Sequence, residues 1–329
     1  MTYESCDLCP RMCGVNRALP VPESRDVSAF PPAFQGPGFC RCTSEVYAAR
    51  AALHMWEEPC ISGVNGSGTV FFCGCTLGCC FCQNYQISQP VFSLEDPDGA
   101  AAGKKLTIRQ LADVFLRLQD QGAHNINLVT ATQYLPSVIR ALDLARPKLK
   151  IPMVYNCGGY EREETIQALD GYVDIYLPDL KYFDPELSKA YSRAGDYFAA
   201  ASKAVAAMIR QAGKPVFEEY SGAKGKCLLM KKGVVIRHMV LPGHKDDSMK
   251  ILSWIRENLP EKSYYISLMS QYTPFFHSKD HPELNRRITS YEYDKVLDHA
   301  VRLGLTDGYM QKKSSAKEEY TPPFNLEGL

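Results

Sequence analysis

The chain has no excess of charge: 37 Lys and Arg balance 37 Asp and Glu, for a formal net charge of +0. That balance gives no global pull towards a phosphate backbone or an anionic membrane, so it weighs against nucleic acid as a partner, although a local basic patch stays open. No apolar run approaches the ~18 residues of a membrane span. The N-terminus, MTYESCDLCP, lacks a charged stretch followed by a greasy one. No secretory signal and no membrane are therefore expected, and the cytoplasm is the expected location. Internal repeats and low-complexity tracts are absent too. Thirteen cysteines in 329 residues are too few for a disulfide scaffold, and the number is odd. In a reducing compartment such cysteines point to metal or redox chemistry.

What is present is globular: 45% hydrophobic and 22% charged residues, with length enough for one large or two ordinary domains. Eleven of the thirteen cysteines lie in the first 82 residues. They form two clusters. The second is GSGTVFFCGCTLGCCFCQNY, residues 66–85, where Thr69–Cys73 reads as a short buried strand. Cys75, Cys79 and Cys82 follow on a loop with spacing C-x3-C-x2-C, and Phe81 precedes the last. Three thiolates on one loop suit an iron–sulfur cube that keeps one iron open, since a closed four-iron cluster takes four. A zinc site with Cys73 or Cys80 as fourth ligand is the competing reading; zinc usually takes paired knuckles set far apart.

That spacing after a strand is the signature of the radical S-adenosylmethionine (SAM) superfamily. The resemblance is closer still. CDLCPRMCGVNR (6–17), GFCR (38–41), HMWEEPCISG (54–63), GAHNINLVTATQY (122–134), VYNCGGYE (154–161), DIYLPDLKY (174–182), IRHMVLPGH (236–244) and SQYTP (270–274) together resemble the PflX-type branch of pyruvate formate-lyase activating enzyme-like radical SAM proteins. The resemblance runs from about residue 6 to 310. It implies a [4Fe-4S] cluster on Cys75, Cys79 and Cys82 with SAM on the open iron. It further implies one-electron cleavage to a 5′-deoxyadenosyl radical that abstracts hydrogen, and reduced flavodoxin or ferredoxin as donor.

Beyond the cluster loop, helices and apolar strands alternate. Helices are expected at 107–121, 136–146, 161–169, 196–211, 248–258 and 290–303. Strands are expected at 126–130, 151–155, 173–177, 234–241 and 264–268. Thr107/Gln110 and Thr289/Glu292 read as capping boxes. About six parallel strands covered by helices give an α/β fold, a partial (β/α)6 TIM-type barrel, as the resemblance also implies. The chemistry then gathers at the C-terminal strand ends. The expected organisation is a Cys-rich extension over 1–62, the barrel over 63–310 and a poorly ordered polar tail over 311–329, with a mobile loop at 92–105.

Candidate cofactor contacts follow from placement. Thr130, Thr132, Asn156, Ser267 and Gln271 lie at strand ends. Asp179 and Lys181, two apart in an extended segment, point the same way. They match the D-x-K pair that the resemblance assigns to SAM; a surface ion pair is the plainer alternative. Arg237, inside VVIRHMVL, needs a partner in a barrel wall. A SAM carboxylate serves, and so does an internal acid. His238 reads as structural. The family's G-G-E segment is replaced by LVTATQY, where Thr130, Thr132 or Gln133 has oxygens to accept from the SAM ammonium. Asn84 is either a contact or a turn residue.

The first cluster, Cys6, Cys9, Cys13 and Cys40 with Cys42 as alternative, is a closed set for zinc or an auxiliary iron–sulfur cluster, with zinc slightly favoured. Cys60 is redox-active or packed, Cys157 catalytic or structural, and Cys227 incidental in a Lys/Gly-rich loop. The function expected is hydrogen abstraction, either from a glycyl-radical enzyme as an activase or from another protein, peptide or small molecule. A non-catalytic iron–sulfur electron-transfer or metal protein is the alternative of another class, against which the D-x-K pair and Arg237 speak.

Overall fold

A computed structural model describes residues 1–19, 35–88, 103–311 and 321–329. Most of the expected loop at 92–105 lies outside the described residues.

Among the described residues ten strands, which include β1 (Val46–His54), β3 (Lys104–Leu106) and β7 (Val216–Gly222), form one sheet in the order β10-β9-β8-β6-β5-β4-β2-β1-β3, with β7 on the side of β8. The parallel run is β2 (Ser67–Phe72), β4 (Ile126–Val129), β5 (Met153–Cys157), β6 (Ile175–Pro178), β8 (Gly225–Met239), β9 (Tyr265–Met269) and the short β10 (Gly308–Met310). Six of these answer the expected six, and β10 adds a seventh at the open edge. Strands that read as apolar runs are buried because helices cover them. The helix Ile108–Asp120 shows how: Leu111, Val114, Phe115 and Leu118 face the sheet. Its Thr107/Gln110 capping box is formed, and so is Thr289/Glu292 on Ser290–Arg302; each cap is worth about 1 kcal/mol.

Several elements depart from the sequence-based expectation. β1 (Val46–His54) pairs antiparallel with β2, so the barrel sheet begins within the stretch read as extension. The residues that follow β1 cross to the N-terminal strand ends. There Cys60 and Ile61 pack with Val154, Ile175, Leu177 and Val235 and close the barrel floor. Cys60 is thus a packed core thiol, its pKa pushed up to about 12 by burial.

β7 (Val216–Gly222) and the first half of β8 form an antiparallel hairpin. Cys227 therefore lies on a strand opposite Tyr220, not in a loop. Gly233, at φ 139, marks the point where β8 leaves the hairpin for the barrel; a Cβ there would stand 3.0 Å from Pro215 Cα. The last nine residues, read as part of a loose tail, are fastened to β1 by Leu326 N–H to Ala49 O (3.0 Å) and Ala51 N–H to Glu327 O (2.9 Å). The expected strand at 151–155 starts two residues later, after Pro152, whose carbonyl accepts from Ile126. Among the described residues no helix is long and apolar enough to cross a membrane.

Candidate active site

The parallel strands surround a cavity of about 730 Å3. Its lining includes Cys75, Cys79 and Cys82 from the loop after β2, and Thr130, Asn156, Asp179, Lys181 and Arg237 from the strand ends. Ser267, Gln271 and Asn84 line it as well. The loop turns on Gly74 and Gly78, both at positive φ, and a Cβ on Gly74 would collide with Cys42 Sγ at 2.2 Å.

Each of the three sulfurs has a neighbour that orients it. Leu77 N–H points at Cys75 Sγ (3.4 Å), Ser192 Oγ donates to Cys79 Sγ (3.0 Å), and Cys82 Sγ lies 3.3 Å from Ser88 Oγ. Donors of this kind orient metal-bound thiolates. Burial raises the Cys75 and Cys82 thiols, the latter to about 12. Thiols that reluctant to ionise in the bare protein give up the proton readily only to a metal. Neither Cys73 nor Cys80 lines the cavity. Cys157 does, from the end of β5, with its thiol held protonated by burial. Three loop thiolates at one cavity fit a cube with an open corner.

The polar centre is a charge network. Asp179 Oδ2 accepts from Lys181 Nζ (2.6 Å) and Oδ1 from Arg237 Nε (2.9 Å). These side chains are under 20% exposed, so the pair is internal rather than a surface one. Burial opposes ionisation of Asp179, but Arg237 and Lys181 outweigh it and hold its pKa low. Arg237 also donates to Glu57 Oε2 (3.2 Å) and Asn156 Oδ1 (2.6 Å). Of the two partners expected for Arg237, the structure supplies the internal acids. Its guanidinium is paired with Asp179 and Glu57 and also lines the cavity.

Glu57 and Glu58 were not read as site residues. Antiparallel β1 carries them under the barrel and turns them inward. Glu57 accepts from Asn127 (3.0 Å) and Asn156 (3.2 Å). Glu58 bonds the Ser267 hydroxyl, while its Oε2 has no partner among the described residues. Burial raises both pKa values. The signal available was two adjacent acids in an otherwise apolar segment, HMWEEPCI.

Thr132, expected at the cofactor site, does not reach the cavity. It is fully buried outside the cavity, bonded to Glu161 Oε1 (2.8 Å) and Tyr155 OH (2.8 Å). The chain turns into a short 3-10 segment after β4, which swings residue 132 behind the sheet. Gln133 points away as well and donates to the carbonyls of Cys73, Gly74 and Thr130. Of the polar residues of that segment, Thr130 is the one that lines the cavity; its hydroxyl donates to Asn156 O (3.1 Å). His238 faces the helices with Nδ1 2.6 Å from Leu180 O, as a structural histidine does.

Cys6, Cys9, Cys13 and Cys40 line a second, much smaller cavity of about 10 Å3 with Arg17, Phe39 and Gln133. That is room for one atom-sized guest. Cys42 lies outside it, its thiol directed at Cys40 O (3.3 Å) and Cys73 O (3.7 Å). A hydrogen bond from Cys42, aided by Arg17, lowers the Cys40 pKa and favours its thiolate. Among the described residues no three His, Cys, Asp or Glu side chains stand close enough together to hold a metal ion as they are. A zinc ion needs sulfurs about 2.3 Å away, so filling this site draws its walls inward. A cube is wider than one ion and spreads its thiolates further.

A parallel sheet curled around a cavity, with three cysteines of one loop at its wall, defines the radical SAM class of protein. The Radical SAM superfamily profile matches residues 69–255, over half of the chain, and the chain belongs to that superfamily. The superfamily brings a [4Fe-4S] cluster, SAM and the need for a reductant. Over 306 residues the chain is 29% identical to MJ0674 of Methanocaldococcus jannaschii, a protein described as uncharacterized, covering 92% of this chain and 76% of that one. Among solved structures it is similar to SuiB of Streptococcus suis, both bound to the precursor peptide SuiA and alone, at 10% identity and TM-scores of 0.44 and 0.43. Those matches cover 72% of this chain and 46% and 47% of the SuiB chains, so the chain spans under half their length.

Proposed function

We propose that Cys75, Cys79 and Cys82 hold the [4Fe-4S] cluster and that the cavity beside them takes SAM and the reacting part of a substrate, in an enzyme of the PflX type. When bound, the reduced cluster and SAM supply a 5′-deoxyadenosyl radical that abstracts hydrogen. The observation that carries the reading is the meeting of three loop thiols, and no others from that loop, with the Asp179–Lys181–Arg237 network in one cavity. Its volume, about 730 Å3, lies within the ~300–1,000 Å3 of cofactor and small-ligand sites.

The chain's own groups divide the work. Asp179, kept ionised by its two cations, offers acceptors to a ribose hydroxyl. Lys181, whose pKa is raised against burial by Asp179 and Cys79, offsets the negative charge of the thiolates. Arg237 fixes Asp179 in place. Thr130 and Asn156 present oxygens to an ammonium. Leu77, Phe81, Met239, Leu241 and Met269 form the apolar wall that excludes water. The four N-terminal cysteines, which line one small cavity, form a closed four-thiol set suited to a metal, with zinc favoured over an auxiliary cluster.

The activase reading is hydrogen abstraction from a glycine Cα of a partner protein, with flavodoxin or ferredoxin as donor. The test is a glycyl-radical signal by electron paramagnetic resonance (EPR) in a partner encoded beside this chain, after incubation with SAM and reductant. A radical there supports the activase. 5′-Deoxyadenosine formed without it removes the activase reading and leaves modification of another protein, peptide or small molecule.

A further inference from the structure

We infer that the N-terminal cysteine segment is a clamp on the cluster loop, and that Arg11 is the positioning residue that carries the state of Cys9 and Cys13 to Cys75 and Cys79. This rests on the assignment of the cluster to that loop.

Arg11 lies between Cys9 and Cys13, on a turn closed by Met12 N–H to Cys9 O (3.0 Å), Gly14 N–H to Cys6 O (3.0 Å) and Cys6 N–H to Val15 O (2.9 Å). Its guanidinium sits 3.8 Å over the Phe39 ring. Phe39 precedes Cys40, and its N–H lies 3.5 Å from Cys13 Sγ. Both chain segments that supply the four cysteines therefore grip this one side chain.

Its hydrogen bonds run the other way. Nε donates to Thr76 O (3.0 Å), Nη2 to Leu77 O (3.3 Å) and Ser192 O (3.0 Å), and Nη1 to Arg193 O. Thr76 and Leu77 lie between Cys75 and Cys79. Ser192 is the residue whose hydroxyl donates to Cys79 Sγ. One cation thus ties together the two stretches that set the position of Cys79. These acceptors are all backbone carbonyls, so the contact fixes geometry through a planar fork of donors.

A second tie holds the other end of the loop. Arg17 Nη1 donates to Cys6 Sγ (3.4 Å) and Nη2 to Gln133 O (2.7 Å). The Gln133 amide in turn donates to Cys73 O (3.0 Å) and Gly74 O (2.9 Å). The loop is bracketed at residues 73–74 and 76–77 by two arginines that both start among the N-terminal cysteines. Metal on those cysteines locks the turn that aims Arg11; an empty or broken site lets it swing.

The test uses the full chain with Arg11→Gln, Arg11→Lys and Cys9→Ser. Before cluster loading, hydrogen exchange of the Gly74 and Cys80 amides, which are bonded to Ile87 O and Tyr191 O, is expected to quicken about 10-fold in Arg11→Gln and Cys9→Ser, the effect of losing roughly one hydrogen bond's worth of restraint. After loading, the change that SAM causes in the EPR signal of the reduced cluster is expected to shrink, with 5′-deoxyadenosine formation down about 10- to 100-fold. Arg11→Lys recovers part of both, since an ammonium reaches some of the carbonyls. Wild-type exchange and spectra in Arg11→Gln overturn the clamp. So does a changed Arg11→Gln beside an unchanged Cys9→Ser. A wild-type chain whose cluster ignores SAM sinks the underlying cluster assignment instead, whatever the variants do.

Discussion

Replacing Arg237 by Leu tests whether this side chain is chiefly the partner of the protein's own acids. Its guanidinium makes three bonds, to Asp179 (2.9 Å), Glu57 (3.2 Å) and Asn156 (2.6 Å). Removing one partner of a buried pair costs about 3–5 kcal/mol, because a charge is left unpaired. Asp179 keeps Lys181, and Glu57 keeps Asn127 and Asn156, which places the loss near 3 kcal/mol. For a chain of this size that lowers the melting temperature by roughly 4–5 °C. The sign with pH is fixed. In the wild type Asp179 has a lowered pKa, so its contribution is present above the ordinary carboxylate pKa and is lost as pH falls below it. In Arg237→Leu the two acids titrate higher, so the variant loses most at pH 8 and least near pH 5. Glu57→Gln added to Arg237→Leu restores part of the loss. Thermal melts of the three chains at both pH values check this. Unchanged melting in Arg237→Leu, with only SAM affinity reduced, would refute the internal-pair reading.

Thr132→Val is expected to leave SAM affinity unchanged while lowering stability by about 1 kcal/mol, the worth of its buried hydrogen bonds; calorimetric titration with SAM checks it. Glu161, driven to a pKa of about 8 by burial, costs the fold progressively more stability as pH rises from the ordinary carboxylate range towards 8. The wild-type melting temperature should fall across that window, and that of Glu161→Gln should stay nearly level. Zinc analysis of the chain as purified is expected to find one ion, lost in Cys9→Ser; extra iron in its place contradicts the single-ion reading.

The cluster loop was legible because its chemistry is local: three cysteines, a preceding strand and a turn all lie within residues 66–85. The helices were legible for the same reason, as the Thr107/Gln110 and Thr289/Glu292 caps show. Asp179 and Lys181 were singled out by their match to a D-x-K pair, and both lie just past the end of β6 and line the cavity. What escaped depends on long-range pairing. Nothing within residues 46–58 says that β1 runs antiparallel to β2 and delivers Glu57 and Glu58 to Arg237, 180 residues further on. Thr132 misled because a 3-10 turn breaks the alternation after β4. The β7–β8 hairpin was hidden by lysines on its exposed face, which read as loop. Arg11 and Arg17 carry no local signal, since most of their acceptors are carbonyls far along the chain.

The most direct measurement is formation of 5′-deoxyadenosine from SAM by the anaerobically reconstituted, dithionite-reduced chain, run beside Cys75→Ala, Cys79→Ala, Cys82→Ala and Cys80→Ala. The wild type and Cys80→Ala should produce it, and the other three should not. A silent wild type that carries its cluster, or a Cys80→Ala chain as dead as Cys79→Ala, would contradict a cube held by three thiolates with its fourth corner open.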